Sequence, residues 1–190
     1  MEKPVMKAPV KDGADFEKQL VPEGLVNAKC YAVIDLWSSE FERQWEKKTV
    51  RKLQLSFETQ EMWTFWEKWE LPLTVHTTKT FSLHEKSKLY TLIKDWAIEQ
   101  AQDNMFNLVW LPCQLMISHT TSKNGKVYAD ILKIKPSKTD RELINEEVMF
   151  SLDMFEEKEF FKLPEWMQEN ISKTPEYKEV LNKLESEKPF

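Results

Sequence analysis

Residues 26–37, VNAKCYAVIDLW, alternate without a break: Ala28, Cys30, Ala32, Ile34 and Leu36 share one face, and Lys29, Tyr31, Val33, Asp35 and Trp37 share the other. A period of two is the mark of a β-strand, and small residues along its inner face suit a tightly curved one. Residues 48–58, KTVRKLQLSFE, repeat the pattern, with Leu53, Leu55 and Phe57 inward and Lys48, Lys52, Gln54 and Ser56 outward. The link SSEFERQWEK is polar but carries Phe41 and Trp45, and reads as a long hairpin tip.

Residues 60–70, QEMWTFWEKWE, place Trp63, Trp66 and Trp69 three apart, which predicts one face of a short helix or turn ended by Pro72. Residues 73–83, rich in Thr and β-branched side chains, predict a third strand. Ser82 with Glu85 matches a capping box. Beyond it, Leu89, Ile93, Trp96, Ala97 and Ala101 form the apolar stripe of a helix over 84–102. Residues 107–122 read as a strand, Asn124-Gly125 as a hairpin turn, and 126–135 as the returning strand closed by Pro136. The order is strand, strand, strand, helix, strand, strand. It predicts a mainly β fold with some α: an OB-fold, a five-stranded Greek-key barrel with a helix between strands 3 and 4.

Three regions follow. Residues 1–20 read as a flexible arm, 21–136 as the OB-fold domain, and 137–190 as an acidic tail with short helices at about 164–171 and 175–186. Pro164 and Pro175 are placed to start those helices, with Thr174 as an N-cap. Net charge divides as −1 over 1–25, +2 over 26–136 and −6 over 137–190, so a slightly basic body precedes an acidic segment. Without other signals, an ordinary solvated acidic tail is the preferred reading of that run.

No spacing of chemical groups suggests catalysis. His76, His84 and His119 lack metal-ligand spacing, and Gly13, Gly24 and Gly125 are too scattered for a phosphate loop. Cys30 and Cys113 fall on apolar faces and read as buried thiols in a reducing compartment. No metal or cofactor is expected, and the chain reads as a non-enzyme. No apolar run approaches the roughly 20 residues of a membrane span, and the N-terminus lacks a secretory apolar stretch.

The outward positions combine lysines and rings. Binding of a single nucleic-acid strand needs a cationic track for phosphates and aromatic platforms for bases. The candidate DNA-binding residues are Lys29, Tyr31, Trp37, Trp45, Lys48, Arg51, Lys52, Lys79, Lys126, Tyr128 and Lys133. The same rings could equally pack at the barrel edge or under the tail helices. The Trp63/Trp66/Trp69 stripe reads as a packing face, against the barrel or a second subunit.

Several ordered blocks carry a resemblance. They are VPEGLVNAKCYAVIDLW, VRKLQLSFE, KTFSLHEKSKLYTLIKDW, LPCQLMISHTTSKNGKVYADILKIKP, EEVMFSLD and FKLPEWMQENISKTPEYKE. Together they resemble a family of bacteriophage-encoded single-stranded DNA-binding proteins with an OB-fold. The resemblance implies a role in phage DNA replication or recombination in the host cytoplasm, with single-stranded DNA as partner and no catalytic residues. Where relatives tend to have Gly-Lys before Pro-Cys, this chain has Trp110-Leu111. The end of the chain, with Glu185, Glu187, Pro189 and Phe190, loosely resembles the acidic tips of bacterial single-stranded DNA-binding proteins. That tip is the candidate hook for phage or host replication proteins. An adaptor that uses the barrel only as a scaffold is the alternative reading, and a nuclease a third; self-association stays open.

Overall fold

The computed structural model describes residues 19–43, 46–65 and 69–186, so nearly all of the arm expected over 1–20 lies outside the described residues. The strands are β1 (Gly24–Arg43), β2 (Glu46–Phe65), β3 (Trp69–Thr80), β4 (Pro112–Thr121), β5 (Val127–Pro136) and β6 (Val148–Phe150). The helices are α1 (Lys88–Ile93), α2 (Ile98–Asp103), α3 (Glu157–Lys162), α4 (Glu165–Ser172) and α5 (Pro175–Ser186), with a 3-10 turn at Met105–Leu108. The sheet runs β3-β2-β1-β4-β5, with neighbours antiparallel. β6 is a sixth strand, parallel to β1. The sheet is open, and β3 and β5 end the pairing path.

The alternation of β1 hides a change of phase. The β1–β2 register slips between Cys30 and Ala32, so Tyr31 is the extra residue of a bulge. One extra residue turns the following side chains over. Val26, Ala28, Cys30 and Val33 therefore point into a first core, while Ala32 and Ile34 point into a second on the opposite side of the sheet. The single inner face expected from Ala28 through Leu36 is thus two half-faces.

The first core closes β2 (Leu53, Leu55, Phe57), β3 (Leu73, Val75), β4 (Cys113, Leu115, Ile117) and β5 (Ile131, Ile134) around the helical segment. The predicted stripe is in place, with Leu89, Ile93, Ala97 and Ala101 all buried. The single helix over 84–102 is not. α1 starts later, capped by Ser87, whose Oγ accepts from Tyr90 N at 3.0 Å, while Ser82 Oγ accepts from His84 N. The helical path breaks at Ala97 (φ −156°, ψ 40°). Beside the break, Trp96 donates its indole N–H to Pro112 O at 3.0 Å and sets its ring 5.7 Å from that of Phe57. Anchoring the indole on β4 and on the core costs the chain a continuous helix.

The tryptophan-rich stretch is also different from its expectation. Residues 60–65 continue β2 and pair back on β3, with Trp63 opposite Leu71 and Phe65 opposite Trp69; Trp66 lies outside the described residues. Trp, Phe and Thr favour extended chain, and pairing along the β2–β3 hairpin satisfies backbone groups that a short exposed helix would leave to water. β3 is the edge strand, where Pro72 is tolerated.

The C-terminal segment packs onto the sheet. β6 lies along Ala32–Ile34, and Phe150, Leu152, Phe160, Leu163, Met167 and Ile171 complete the second core. Phe160 and Tyr177 stack at 5.3 Å between ring centroids. α4 and α5 match the two predicted helices, and Thr174 Oγ1 accepts from Tyr177 N at 3.3 Å as the cap. β6 and α3 were not predicted.

Ile171 is fully buried in the second core, so Ile171→Ala should lower unfolding free energy by about 2–5 kcal/mol in a urea titration. A chain ended at Pro136 would bare Ala32 and Ile34 and should bind a hydrophobic dye more strongly than the full chain does.

Candidate nucleic-acid interface

The outer face of β1 and β2, where the sequence places much of the DNA-binding set, lies under residues 137–172. Lys29 Nζ pairs with Asp140 at 2.7 Å and donates to Arg141 O at 2.9 Å. Tyr31 packs against the second core, and burial raises its phenol pKa. It lines a cavity of about 270 Å³ with Gln54, Ser56, Asn145 and Met167. Arg51 bonds Asp35 through Nε (2.9 and 3.0 Å) and through a close Nη2 contact, reaches Asp153 at 2.6 Å, and lies 5.4 Å from the Phe81 ring centroid. The bond to Asp35 pushes its guanidinium pKa up. Of the candidate DNA-binding residues, Lys29, Tyr31 and Arg51 are thus not freely outward but held by partners within the chain.

Glu58 is the residue that sequence reading missed on this face. Its side chain is fully buried and pairs with the Arg141 guanidinium. It also accepts from Ile144 N (3.0 and 3.2 Å), Asn145 N (2.8 Å) and Asn145 Nδ2 (2.7 Å). Burial alone would raise its pKa, but the bonds from Asn145, Arg141 and Ile144 outweigh it and hold the carboxyl below its ordinary value. Nothing near Glu58 in sequence signals this, because its partners stand more than 80 residues further on.

The cations outside that cover gather elsewhere. Residues 122–138 hold five lysines and one aspartate, a net charge of +4. The hairpin between β4 and β5 turns at Gly125 (φ +78°), a left-handed conformation that favours glycine. Ser122 N donates to Lys126 O at 2.9 Å across the turn. Lys126 and Tyr128 are exposed on this hairpin, and Tyr128 keeps 44% of its surface. Lys133 is exposed too, and pairs with Asp95 at 2.8 Å. Opposite positions in the register set Leu25, Met116 and Lys133 in one row and Asn27, Gln114 and Lys135 in the next. Lys52 is exposed on β2 opposite Thr80, and Lys79 is half-buried on β3.

Between β3 and β5, the two ends of the pairing path, lies a cleft of about 200 Å³ lined by Thr74, Val75, His76, Tyr128 and Ala129, with Leu20 and Val21. Of the predicted set, Tyr128 alone enters it. Trp45, Glu187, Pro189 and Phe190, with the side chains of Trp37, Lys48 and Glu185, lie outside the described residues.

Other chemistry is sparse. Burial pushes the Cys30 thiol up to about 12 and raises that of Cys113, so both stay protonated. Among the described residues no group of three His, Cys, Asp or Glu is placed to hold a metal ion, and no helix is long and apolar enough to cross a membrane. Trp110 is the one non-glycine residue with positive φ (70°) among them. It donates its N–H to Cys30 O at 2.8 Å and leaves half its surface exposed.

Glu58→Ala should cost about 3 kcal/mol in a denaturant titration, because it strands Arg141. The pH dependence has a defined sign. A lowered folded pKa stabilises above the unfolded glutamate value, 4.5, and that stability is lost as pH falls through the folded value. Glu58→Gln should therefore flatten the fall of melting temperature below about pH 4.5. Comparison with family models, with curated proteins and with solved structures gave no match.

Proposed function

We propose that this chain binds single-stranded DNA without strong sequence preference, through an OB-type body, in phage DNA replication or recombination. The strand order β3-β2-β1-β4-β5, with a helical segment between β3 and β4, is the order of that fold. The observation that carries the reading is the β4–β5 hairpin, where residues 122–136 carry four lysines and one aspartate, a net charge of +3, beside the exposed Tyr128 ring. Cations follow phosphates and a ring accepts a stacked base. With Lys29, Tyr31 and Arg51 held by the C-terminal segment, the reading takes the DNA along β5 and the β3–β5 side, past Lys126, Tyr128, Lys133 and Lys79. No bond is made or broken in this reading, and the protein acts as a binder.

A second reading, an adaptor built on the same scaffold, is favoured by Phe161 (64% exposed) and Trp166 (56% exposed) on the C-terminal helices. Large apolar side chains left in water are the raw material of protein contacts.

Titration of the full chain with oligo-dT of about 30 nucleotides should quench tryptophan fluorescence, with affinity falling steeply as salt rises. Tyr128→Ala should cost about 1–3 kcal/mol of binding, and Lys126→Ala should reduce the salt slope by about one unit. An oligonucleotide that neither quenches nor co-migrates at low salt would leave the adaptor standing.

A further inference from the structure

A groove of about 400 Å³ runs beside α5, between that helix and the loop from β6 to α3. Its floor is apolar: Leu152, Phe155, Val180 and Leu184. Leu184 and its neighbour Leu181 keep 40% and 39% of their surface, so α5 leaves an apolar edge in water. Around that floor stand Asp153, Glu176 and Glu179 against the one cation Lys183. Asp153 already faces Arg51, which leaves Glu176 and Glu179 as the acids turned to the groove. Glu176 Oε2 is buried and has no hydrogen-bond partner. The half-buried Glu176 and the exposed Glu179 give the groove a net negative rim, which attracts a cationic occupant.

We infer that this groove docks a basic amphipathic helix of a partner protein. Val180 and Leu184 are four residues apart on α5 and so lie on one face along its axis, the spacing with which the apolar ridge of a second helix interdigitates. Apolar anchors at i, i+3, i+4 and i+7 would fill the floor, and flanking Lys or Arg would meet the acidic rim at Glu179 and Glu176. The acidic rim repels phosphates, so the occupant is a protein and not a nucleic acid. This site is separate from the β4–β5 hairpin, and it stands whether or not that hairpin binds DNA.

The test uses the full chain and a fluorescein-labelled Lys/Leu peptide of about four helical turns with leucines in that spacing. Fluorescence anisotropy should rise to saturation, and a peptide of the same composition with its leucines scrambled should bind about tenfold more weakly. Val180→Ala with Leu184→Ala removes the floor while keeping good helix formers in α5, and should weaken binding by about tenfold. Glu179→Gln should weaken it a few-fold. Lys183→Glu should tighten it, a gain that misfolding could not produce. Glu169→Gln, an exposed acid on α4 outside the groove, should change nothing. Equal binding of the scrambled peptide, an equal loss in Glu169→Gln, or no response to the double alanine variant would overturn the proposal. So would concentration-dependent self-association abolished by that double variant, which would seat a second copy in the groove.

Discussion

Over Ala32–Asp35 β1 buries both of its faces, and the rest of the molecule is arranged around that constraint. A strand at the middle of an antiparallel sheet commonly packs one face and leaves the other to water. The bulge at Tyr31 divides β1 between two cores, so the residues before it anchor the β-rich body and Ala32 and Ile34 after it anchor the C-terminal segment. β6 then pairs with β1 in parallel where β4 leaves off, at Ala32 after Lys29. The C-terminal third is fastened to the body at the backbone as well as through side chains.

Electrostatics follow from this packing. Bringing an acidic segment over β1 and β2 occupies cations that would otherwise face solvent, as with Lys29 on Asp140 and Arg51 on Asp153. The opposite arrangement holds at Glu58, a buried carboxylate enclosed by donors from 141–145. What remains for an anionic ligand is the other flank of the sheet, where the β4–β5 hairpin concentrates lysine. Charge is thereby separated over one molecule: a basic hairpin at one strand pair and an acid-rimmed groove at α5. The DNA and the basic helix proposed above would therefore meet different surfaces.

The elements set by local chemistry were legible in the sequence. The β4–β5 hairpin follows from Asn124-Gly125, and α4 and α5 follow from their prolines and from Thr174. The elements set by distant partners were not. The phase change at Tyr31 leaves the alternation of residues 26–37 intact on paper, because both faces of the strand are apolar in turn. The break near Ala97 depends on a bond from Trp96 to Pro112. The tryptophans at 63 and 69 resemble a helical stripe until β3 is available to pair with them. Of the candidate interface, the lysines and Tyr128 of the hairpin could be named from sequence, whereas the covering of Lys29, Tyr31 and Arg51 required the C-terminal fold.

The wide separation between β1 and its closing partners also bears on how the chain is made. Lys29 meets Arg141 across 112 positions, and Asp35 meets Ser151 across 116. A ribosome releases β1 and β2 long before Phe160 or Ile171 exists to shelter Ala32 and Ile34. For that interval the nascent sheet presents one finished side and one greasy side, the kind of surface on which folding helpers act. Maturation of this protein is therefore governed by its last helices, and loss of the final third by a premature stop would release a product that sticks to its neighbours.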